Sequence, residues 1–448
     1  MLTTTSANPQ TVAEPFPDLV DESLDEAAFL WRRWETELTS LTRSLDEIYA
    51  WTEDRLHGAL DGVRVGGPRA VEAATKELGS EDTDRIAVGT AILGSITEPG
   101  APEAIAAALK TAEGKKLDAM LRGLELMGSD QALRASASVL AAPGPSRAGA
   151  LCRLKLFRRV RPGEELATAF RSNVPDVQVD AIRAARLVPP DAAGQWIAAG
   201  LTSDNEDVRY AAVESGLSLR IDEAWKTATQ MATQHTPAAA RYLKLLAIFG
   251  TADEQQAVYS VLRVPELQAA AVWALGHIGN VRAADACVSG MQHEPIARAC
   301  GEAYCWITGA DLERDTLSVR ETPPDAPAFE DDDLDANLVP APEALWPLPD
   351  AEAVKKHWLA IRSEWSANVR HIRGKPAGGD TLLSIMETGP MLRRHDLALE
   401  LRVKTRGRYD VEPRAFTGRQ RQMMMASRAA VAGHAGPAAP KPPGEGGR

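Results

Sequence analysis

The sequence has little cysteine and few aromatic residues: 4 of 448 residues are cysteine, and 5% are Phe, Trp or Tyr. So few cysteines predict no disulfide framework. Cys287 and Cys300 fall on core positions of a repeat described below, which predicts small buried side chains. No apolar run approaches the roughly 20 residues that cross a bilayer, and no signal-peptide pattern precedes Arg32. We therefore expect no membrane insertion and a cytoplasmic location.

The usual catalytic and nucleotide-binding motifs are also missing from the sequence. Gly114-Lys115-Lys116 lacks the upstream glycine and the Ser/Thr of a phosphate-binding loop, and no Gly-x-Ser-x-Gly segment occurs. His293-Glu294 begins like a zinc-protease motif, but Ala297 stands where the second histidine would be. Cys300 and Cys305 lie about 140° apart around a helix and cannot share a metal unaided. We predict no enzyme activity, no cofactor and no metal.

A two-helix unit of about thirty residues repeats through the middle of the chain. One face of each second helix, at offsets 0, 3, 4, 7 and 11, is mostly small or apolar. These faces begin at Val177, Val208, Ala238, Leu267 and Ala297. The steps are therefore 31, 30, 29 and 30 residues. The first helices keep the same period, at Leu166, Ile197, Ala228, Val258 and Cys287. Hairpins that cannot bury an apolar face alone stack into one continuous core.

The second helices open with a pattern close to Val-Arg-x-x-Ala-Val. Two segments carry it, Asp207-Val208-Arg209-Tyr210-Ala211-Ala212-Val213 and Ala270-Ala271-Val272-Trp273-Ala274-Leu275-Gly276. This pattern resembles HEAT and HEAT-like repeats. The resemblance implies an all-α fold, a right-handed α-solenoid of roughly eight helical hairpins with helical caps. The phase is weakest around residues 142–160, where Pro143 and Pro145 interrupt helix propagation.

Composition divides the chain into six predicted regions. They are a disordered N-terminus (1–20), a helical cap (21–60), HEAT-like repeats (61–312), an acidic Pro-rich linker (313–349), a basic helical module (350–428) and a disordered tail (429–448). In the cap we predict helices over 24–38 and 41–60. In the basic module we predict helices over 351–372, 380–387 and 391–404.

The net charge of −12 is unevenly distributed. Residues 350–428 hold 16 Lys/Arg against 9 Asp/Glu, a balance of +7, and the tail adds +1. Residues 1–349 therefore carry −20. An acidic body repels phosphate backbones, which argues against nucleic acid as a partner. The simpler interpretation is that acidity keeps an alanine-rich solenoid soluble.

Several aromatic and ionisable residues outside the repeats have both a structural and a functional interpretation. Six of ten tryptophans lie there: Trp31, Trp34, Trp51, Trp346, Trp358 and Trp365. Solenoid caps bury one face and expose the other, which suits tryptophan. An exposed aromatic patch for a partner is the alternative. His57, beside Asp54, Arg55 and Asp61, fits an ion-pair network better than catalysis. His395-Asp396, with Arg393 and Arg394, fits the solvated face of the helix 391–404.

A protein partner would contact the outward positions of the second helices. Offset 6 gives a mixed-charge row, Arg183, Glu214, Lys244, Trp273 and Ala303. Trp273 is the candidate hot spot, since aromatic residues and arginine dominate interface energies. Its alternative role is packing between adjacent repeats. With the neighbouring Tyr210 and His277, the predicted protein-binding residues are Arg183, Tyr210, Glu214, Lys244, Trp273 and His277.

Three local signatures resemble one family. The first is Leu30-Trp31-Arg32-Arg33 with Glu53-Asp54-Arg55-Leu56-His57-Gly58-Ala59-Leu60-Asp61-Gly62. The second is Tyr304-Cys305-Trp306-Ile307-Thr308-Gly309 with Leu345-Trp346-Pro347. The third is His357-Trp358, Arg373-Gly374-Lys375-Pro376 and Arg393-Arg394-His395-Asp396-Leu397-Ala398-Leu399-Glu400-Leu401. They resemble an uncharacterised family of proteobacterial HEAT-repeat proteins, often encoded near type VI secretion genes. That family has two adjacent tryptophans where this chain has His357-Trp358. The resemblance implies no catalytic residues.

The sequence therefore predicts a non-catalytic scaffold or adaptor that binds another protein, with a contextual link to type VI secretion. A second binding hypothesis is intramolecular, with the acidic linker or the tail docked on the basic module. The alternative class is a HEAT-like enzyme acting on a modified base or small molecule, an architecture known in alkylpurine DNA glycosylases and bilin lyases. Such an enzyme needs a concave pocket with a carboxylate, and a basic rim if its substrate is nucleic acid.

Overall fold

The computed structural model describes residues 17–320, 344 and 346–432. Most of the predicted linker (321–343 and 345), residues 1–16 and residues 433–448 lie outside the described residues. In the described part of the chain the strands are one short antiparallel pair, His371–Ile372 (β1) and Lys375–Pro376 (β2). The remaining regular structure is helical, which confirms the predicted all-α class.

The first half of the chain folds into short helices joined by tight turns. They are α1 (Pro17–Glu37), α2 (Leu45–Ile48), a π-helical turn (Tyr49–Glu53), α3 (Asp54–Arg64), α4 (Pro68–Glu77), α5 (Thr83–Ser95), α6 (Ala101–Leu109), α7 (Gly114–Met127), α8 (Asp130–Leu140), α9 (Pro145–Arg158), α10 (Glu165–Phe170) and α11 (Pro175–Ala185). α1 begins inside the stretch predicted to be disordered. The helix predicted over 41–60 begins at Leu45 instead and continues through the π-helical turn to Arg64. Pro145 is the first residue of α9, where its missing N–H costs nothing.

The second half continues the series into the predicted basic module. Its helices are α12 (Pro190–Leu201), α13 (Glu206–Leu219), α14 (Asp222–Ala232), α15 (Ala240–Phe249), α16 (Gln256–Ser260), α17 (Pro265–Ile278), α18 (Val281–Gly290), α19 (Glu294–Thr308), α20 (Ala351–Ile361), α21 (Gly379–Thr388), α22 (Arg394–Lys404) and α23 (Thr417–Ala432). Short 3₁₀ turns are Pro237–Ala239, Val261–Arg263, Arg362–Glu364 and Met391–Arg393. The five second helices of the repeat are α11, α13, α15, α17 and α19, where the period predicts them.

By its internal contacts the chain divides into two compact units. Among the described residues, unit 1 comprises 17–38, 46–187 and 414–417. Unit 2 comprises 39–45, 188–320, 344, 346–413 and 418–432. In unit 1, α5 packs on α7, α7 on α9 and α9 on α11. In unit 2, α15 packs on α17 and α17 on α19, while α18 lies against both α17 and α19.

Local sequence explains why the helices start and what they bury. The Asn205 side-chain oxygen caps α13 by accepting the N–H groups of Asp207 and Val208 at 3.0 and 3.1 Å. The repeat positions of α13 and α17 are buried, among them Val208, Ala211, Leu267 and Ala274. Cys287 and Cys300 are buried as expected, and burial raises the pKa of the Cys300 thiol to about 12.

The predicted helix 351–372 ends at Ile361 because the chain after it binds the ends of two other helices. The His371 N–H donates to the Gly279 carbonyl at 2.8 Å, and the Arg373 N–H donates to the Trp306 carbonyl at 2.6 Å. Helix ends leave such carbonyls without intrahelical partners. Gly279 permits the approach, because a Cβ there would lie 2.4 Å from the His371 oxygen. Tertiary hydrogen bonds thus replace the last turns of the helix, which was predicted from an apolar stripe of Val354, Trp358, Ile361, Trp365 and Val369.

Candidate functional site

The structure brings three of the predicted binding residues together around one carboxylate. Lys244 Nζ lies 2.8 Å from Asp396 Oδ1, and Trp273 Nε1 donates to Asp396 Oδ2 at 2.9 Å. His277 Nε2 lies 3.0 Å from the same oxygen. Trp273 and His277 are four residues apart on α17 and therefore share a face. We call Lys244, Trp273, His277 and Asp396 the Asp396 cluster.

Electrostatics fixes the protonation states in the Asp396 cluster. Burial alone would raise the pKa of Asp396, but the Lys244 ammonium and the His277 hydrogen bond hold it well below its ordinary range. Burial lowers the pKa of His277 despite the nearby Asp396. A neutral His277 facing a carboxylate carries its proton on Nε2. Its Nδ1 then has no hydrogen-bond partner among the described residues.

A second buried ion pair lies beside this cluster. The Arg393 guanidinium binds both oxygens of Glu302, at 2.8 and 2.5 Å, and donates to the Trp273 carbonyl at 2.8 Å. Its central carbon lies 3.8 Å from the centre of the Trp273 ring, a cation–π contact. Gly276 makes room, since a Cβ there would lie 2.7 Å from the Arg393 nitrogens. The Arg393–Glu302 pair therefore has the bidentate geometry that arginine favours with carboxylates.

The expectation of a solvated helix face is wrong for Arg393, Arg394 and Asp396, whereas His395 is exposed as expected. Arg393, Arg394 and Asp396 are 0, 1 and 5% exposed. The reason is that α22 is enclosed on more than one side: it packs on α13 and α21, and Arg394 donates to Gln420 of α23 at 2.8 Å. The polar residues of α22 therefore meet partners inside the protein.

A third charged group anchors the far end of α22. Glu400 binds Arg370 at 2.5 and 2.8 Å and Lys404 at 2.5 Å. Burial alone would raise the Glu400 pKa, but Arg370 and Lys404 lower it to about 2. Arg402 reaches back to the Ser218 hydroxyl of α13 at 3.2 Å. Together these contacts hold α22 along the row of second helices in unit 2.

The other predicted binding residues have different surroundings. Tyr210 stacks edge-on against Tyr242 at 5.3 Å and lies under Lys244. Burial is the largest effect that raises the pKa of Tyr210, and the nearby Glu214 carboxylate raises it further. Arg183 is exposed and belongs to unit 1, whereas the other five belong to unit 2. This region is held together by Arg393 and Asp396, which were expected on a solvated face, and by Glu302, which no sequence pattern identifies.

Two cavities adjoin the Arg393–Glu302 pair in unit 2. The first has a volume of about 140 Å³ and is lined in part by Arg298, Glu302, Cys305, Trp306, Trp346 and Arg373. We call it the Arg373 cavity. The second, of about 210 Å³, is lined by Trp273, Glu302, Trp346 and three alanines, Ala269, Ala270 and Ala299. The exposed part of Trp273 thus faces a small alanine-lined space.

In unit 1 the segment Arg414–Thr417 is held by a different set of contacts. The Phe416 ring lies 4.8 Å from the Trp34 ring and 4.7 Å from the His57 ring. The Thr417 N–H and hydroxyl donate to the buried Glu53 carboxylate at 2.9 Å each. Burial lowers the pKa of His57, and its effect is larger than that of any nearby charge. His57 Nε2 has no hydrogen-bond partner among the described residues, and the ion pairs nearby join Arg64 to Asp61 and Arg55 to Glu26.

The predicted cap tryptophans differ in exposure. Trp31 and Trp34 are buried in unit 1, while Trp51 is 61% exposed. Trp346 and Trp358 are buried in unit 2, and the Trp358 indole donates to Asp285 at 2.7 Å. Four of the six tryptophans are therefore buried, as the structural interpretation predicts. Trp51 is exposed, as a tryptophan in a partner-binding patch would be.

Within residues 17–320, 344 and 346–432, no His, Cys, Asp and Glu side chains group as metal ligands would. Over the same residues, none of the helices has the length and apolar character to cross a membrane.

No protein-family model and no curated protein matches this chain. Among solved structures, the crystal structure of an engineered protein is similar over 65% of this chain and 96% of its own, with 18% sequence identity and a TM-score of 0.25. Similarity at that score is too low to indicate a shared fold.

Proposed function

We propose that this protein is a non-catalytic scaffold of HEAT-like hairpins that binds another protein in the bacterial cytoplasm. The packing of second helix on second helix in each unit supports this, because stacked hairpins make contacts of that kind. The family resemblance suggests a component of a secretion system as the partner. Helical solenoids commonly bind partners along such rows.

The observation that carries the proposal is how α22 is bound in unit 2. α22 is bound by Ser218 of α13, Lys244 of α15 and Trp273 and His277 of α17, and Glu302 of α19 binds Arg393, the residue directly before α22. A tryptophan and charged groups anchor a helix there, as in helix-in-groove recognition. A row of second helices in this chain can therefore bind a helix, and another such row is a candidate site for a partner.

Because α22 occupies Lys244, Trp273 and His277, we assign the partner to the second helices of unit 1. There Asp118 of α7 is 64% exposed and pairs with Arg153 of α9 at 2.8 Å. Arg183 of α11 is also exposed. α7, α9 and α11 pack on one another in sequence. Of the six predicted residues, Arg183 is the one that keeps its proposed role under this assignment.

The test is capture of partners from the native host by the tagged full-length protein, followed by mass spectrometry. The variant Asp118→Lys/Arg183→Glu should lose one stoichiometric protein that the wild type retains. Arg134→Glu is the matched control, since Arg134 is an exposed residue of α8, which is the first helix of its hairpin and not one of the proposed binding helices. Retention of every partner by the double variant, or equal loss in the control, contradicts the assignment.

A further inference from the structure

The Arg373 cavity combines unused hydrogen-bond donors with apolar walls. The Trp306 side chain is 1% exposed, and its indole Nε1 is buried without an acceptor among the described residues. An indole N–H can only donate. A buried donor without a partner is uncommon in folded proteins, so its presence at a cavity needs an explanation.

Arg373 supplies the second unused donor. Its backbone is fixed, since its N–H donates to the Trp306 carbonyl at 2.6 Å and its φ is 48°. Its side chain is half-buried and lines the cavity, and its guanidinium has no acceptor among the described residues. Arg298 lies in the same wall and donates one N–H to the Trp346 carbonyl.

The acidic residues at this cavity are mostly engaged elsewhere. Glu302 has both oxygens on Arg393. Asp311 accepts the N–H groups of Glu313 and Arg314 at 3.1 and 2.9 Å. Glu313 is exposed. The missing group in the cavity is therefore an acceptor. With Glu302 paired to Arg393, two arginines and two carboxylates remain in the lining, which weighs against a ligand with two negative charges.

The size and the apolar walls of the Arg373 cavity further restrict the kind of ligand that it can bind. Leu41, Pro347 and Pro390 line the cavity beside the Trp306 and Trp346 rings. The volume of about 140 Å³ is close to that of the roughly 150 Å³ cavity that accommodates benzene. A guanidinium binds a carboxylate through two parallel hydrogen bonds. We propose that the Arg373 cavity binds a small monocarboxylic acid, with its carboxylate on Arg373 and the Trp306 N–H and a ring-sized apolar group against the walls.

The experiment titrates the purified full chain with sodium benzoate as the probe, using ligand-observed NMR and calorimetry. Benzamide, the neutral analogue of the same shape, should bind at least tenfold more weakly. Inorganic phosphate should not compete. Arg373→Asn should weaken benzoate binding at least tenfold, since asparagine tolerates the positive φ but cannot supply the guanidinium.

Lys375→Asn is the matched control, because Lys375 is exposed two residues away and does not line the cavity. It should leave benzoate affinity unchanged. Leu41→Trp keeps both arginines while filling the cavity, and should also abolish binding, which guards against a folding defect in the Arg373 variant. The proposal is overturned if the wild type does not bind benzoate, if benzamide binds equally well, or if Lys375→Asn loses as much affinity as Arg373→Asn.

Discussion

Glu53 in unit 1 and Asp396 in unit 2 are both buried carboxylates that accept a tryptophan N–H. The distances are 3.0 Å from Trp34 Nε1 and 2.9 Å from Trp273 Nε1. The remaining partners differ. Glu53 belongs to the helical body and receives neutral donors from Thr417. Asp396 belongs to the added helix α22 and meets the Lys244 ammonium and His277.

This difference determines what each contact specifies. In unit 1 the added segment is recognised by Thr417, by the Phe416 ring and by a longer pair of Arg414 with Glu125 at 3.9 Å. Removal of the Phe416 side chain therefore leaves mainly a cavity. In unit 2 the added helix is recognised by charge, so removal of one partner leaves another charge buried and unpaired. Breaking a buried pair in this way costs more than the pair itself contributes.

The largest effect is expected for Asp396→Ala. It leaves the Lys244 ammonium, the Trp273 N–H and His277 without their shared acceptor, and should lower the free energy of unfolding by about 4 kcal/mol. Urea unfolding followed by circular dichroism measures this change. Asp380→Ala is the control, because Asp380 is exposed on α21. Similar losses in both variants would show that charge does not anchor α22.

The second prediction concerns acid stability through Glu400. Because Arg370 and Lys404 hold its pKa at about 2, below the usual 4.5, Glu400 stabilises the fold above pH 4.5. That stabilisation is lost as the pH falls from 4.5 towards 2. Glu400→Gln should cost about 3 kcal/mol at neutral pH and flatten this part of the acid-unfolding curve.

The control for this pH dependence is Glu352→Gln. Glu352 is an exposed acid at the start of α20 that pairs only loosely with Lys355, at 3.8 Å. It should leave both the neutral stability and the acid-unfolding curve unchanged. If Glu400→Gln behaves in the same way, the charges at the far end of α22 do not stabilise unit 2.

The positions of the second helices were predictable from the sequence, but the binding of α22 to them was not. The thirty-residue period identifies α13, α15 and α17 because it reports which positions are buried within one repeat. The burial of Arg393 and Asp396 depends on partners such as Glu302 and Lys244, which lie far away in the chain. Charged residues are rarely buried without such partners, so a single sequence favours exposure for them. Leu397 and Leu401, beside the Arg-Arg-His-Asp run, were the one local signal that α22 is enclosed.

The same limit applies to the Arg373 cavity. No motif connects Arg373 with Trp306, because backbone hydrogen bonds at the end of α19 bring them together. The early end of the helix at Ile361 has the same cause. Amphipathic spacing continues to Val369, but the chain there satisfies carbonyls at the ends of α17 and α19 instead.

The smallest effect is expected for Phe416→Ala in unit 1. The Phe416 ring is half-buried between Trp34 and His57, so its removal should cost about 2 kcal/mol, less than a fully buried ring would. Phe416→Leu should recover about half of that loss, since it refills much of the space without needing a charge. Met425→Ala, at an exposed position of α23, is the control for urea unfolding. A loss larger than that of Asp396→Ala would reverse the comparison, because unit 1 would then depend on its added segment more than unit 2 depends on α22.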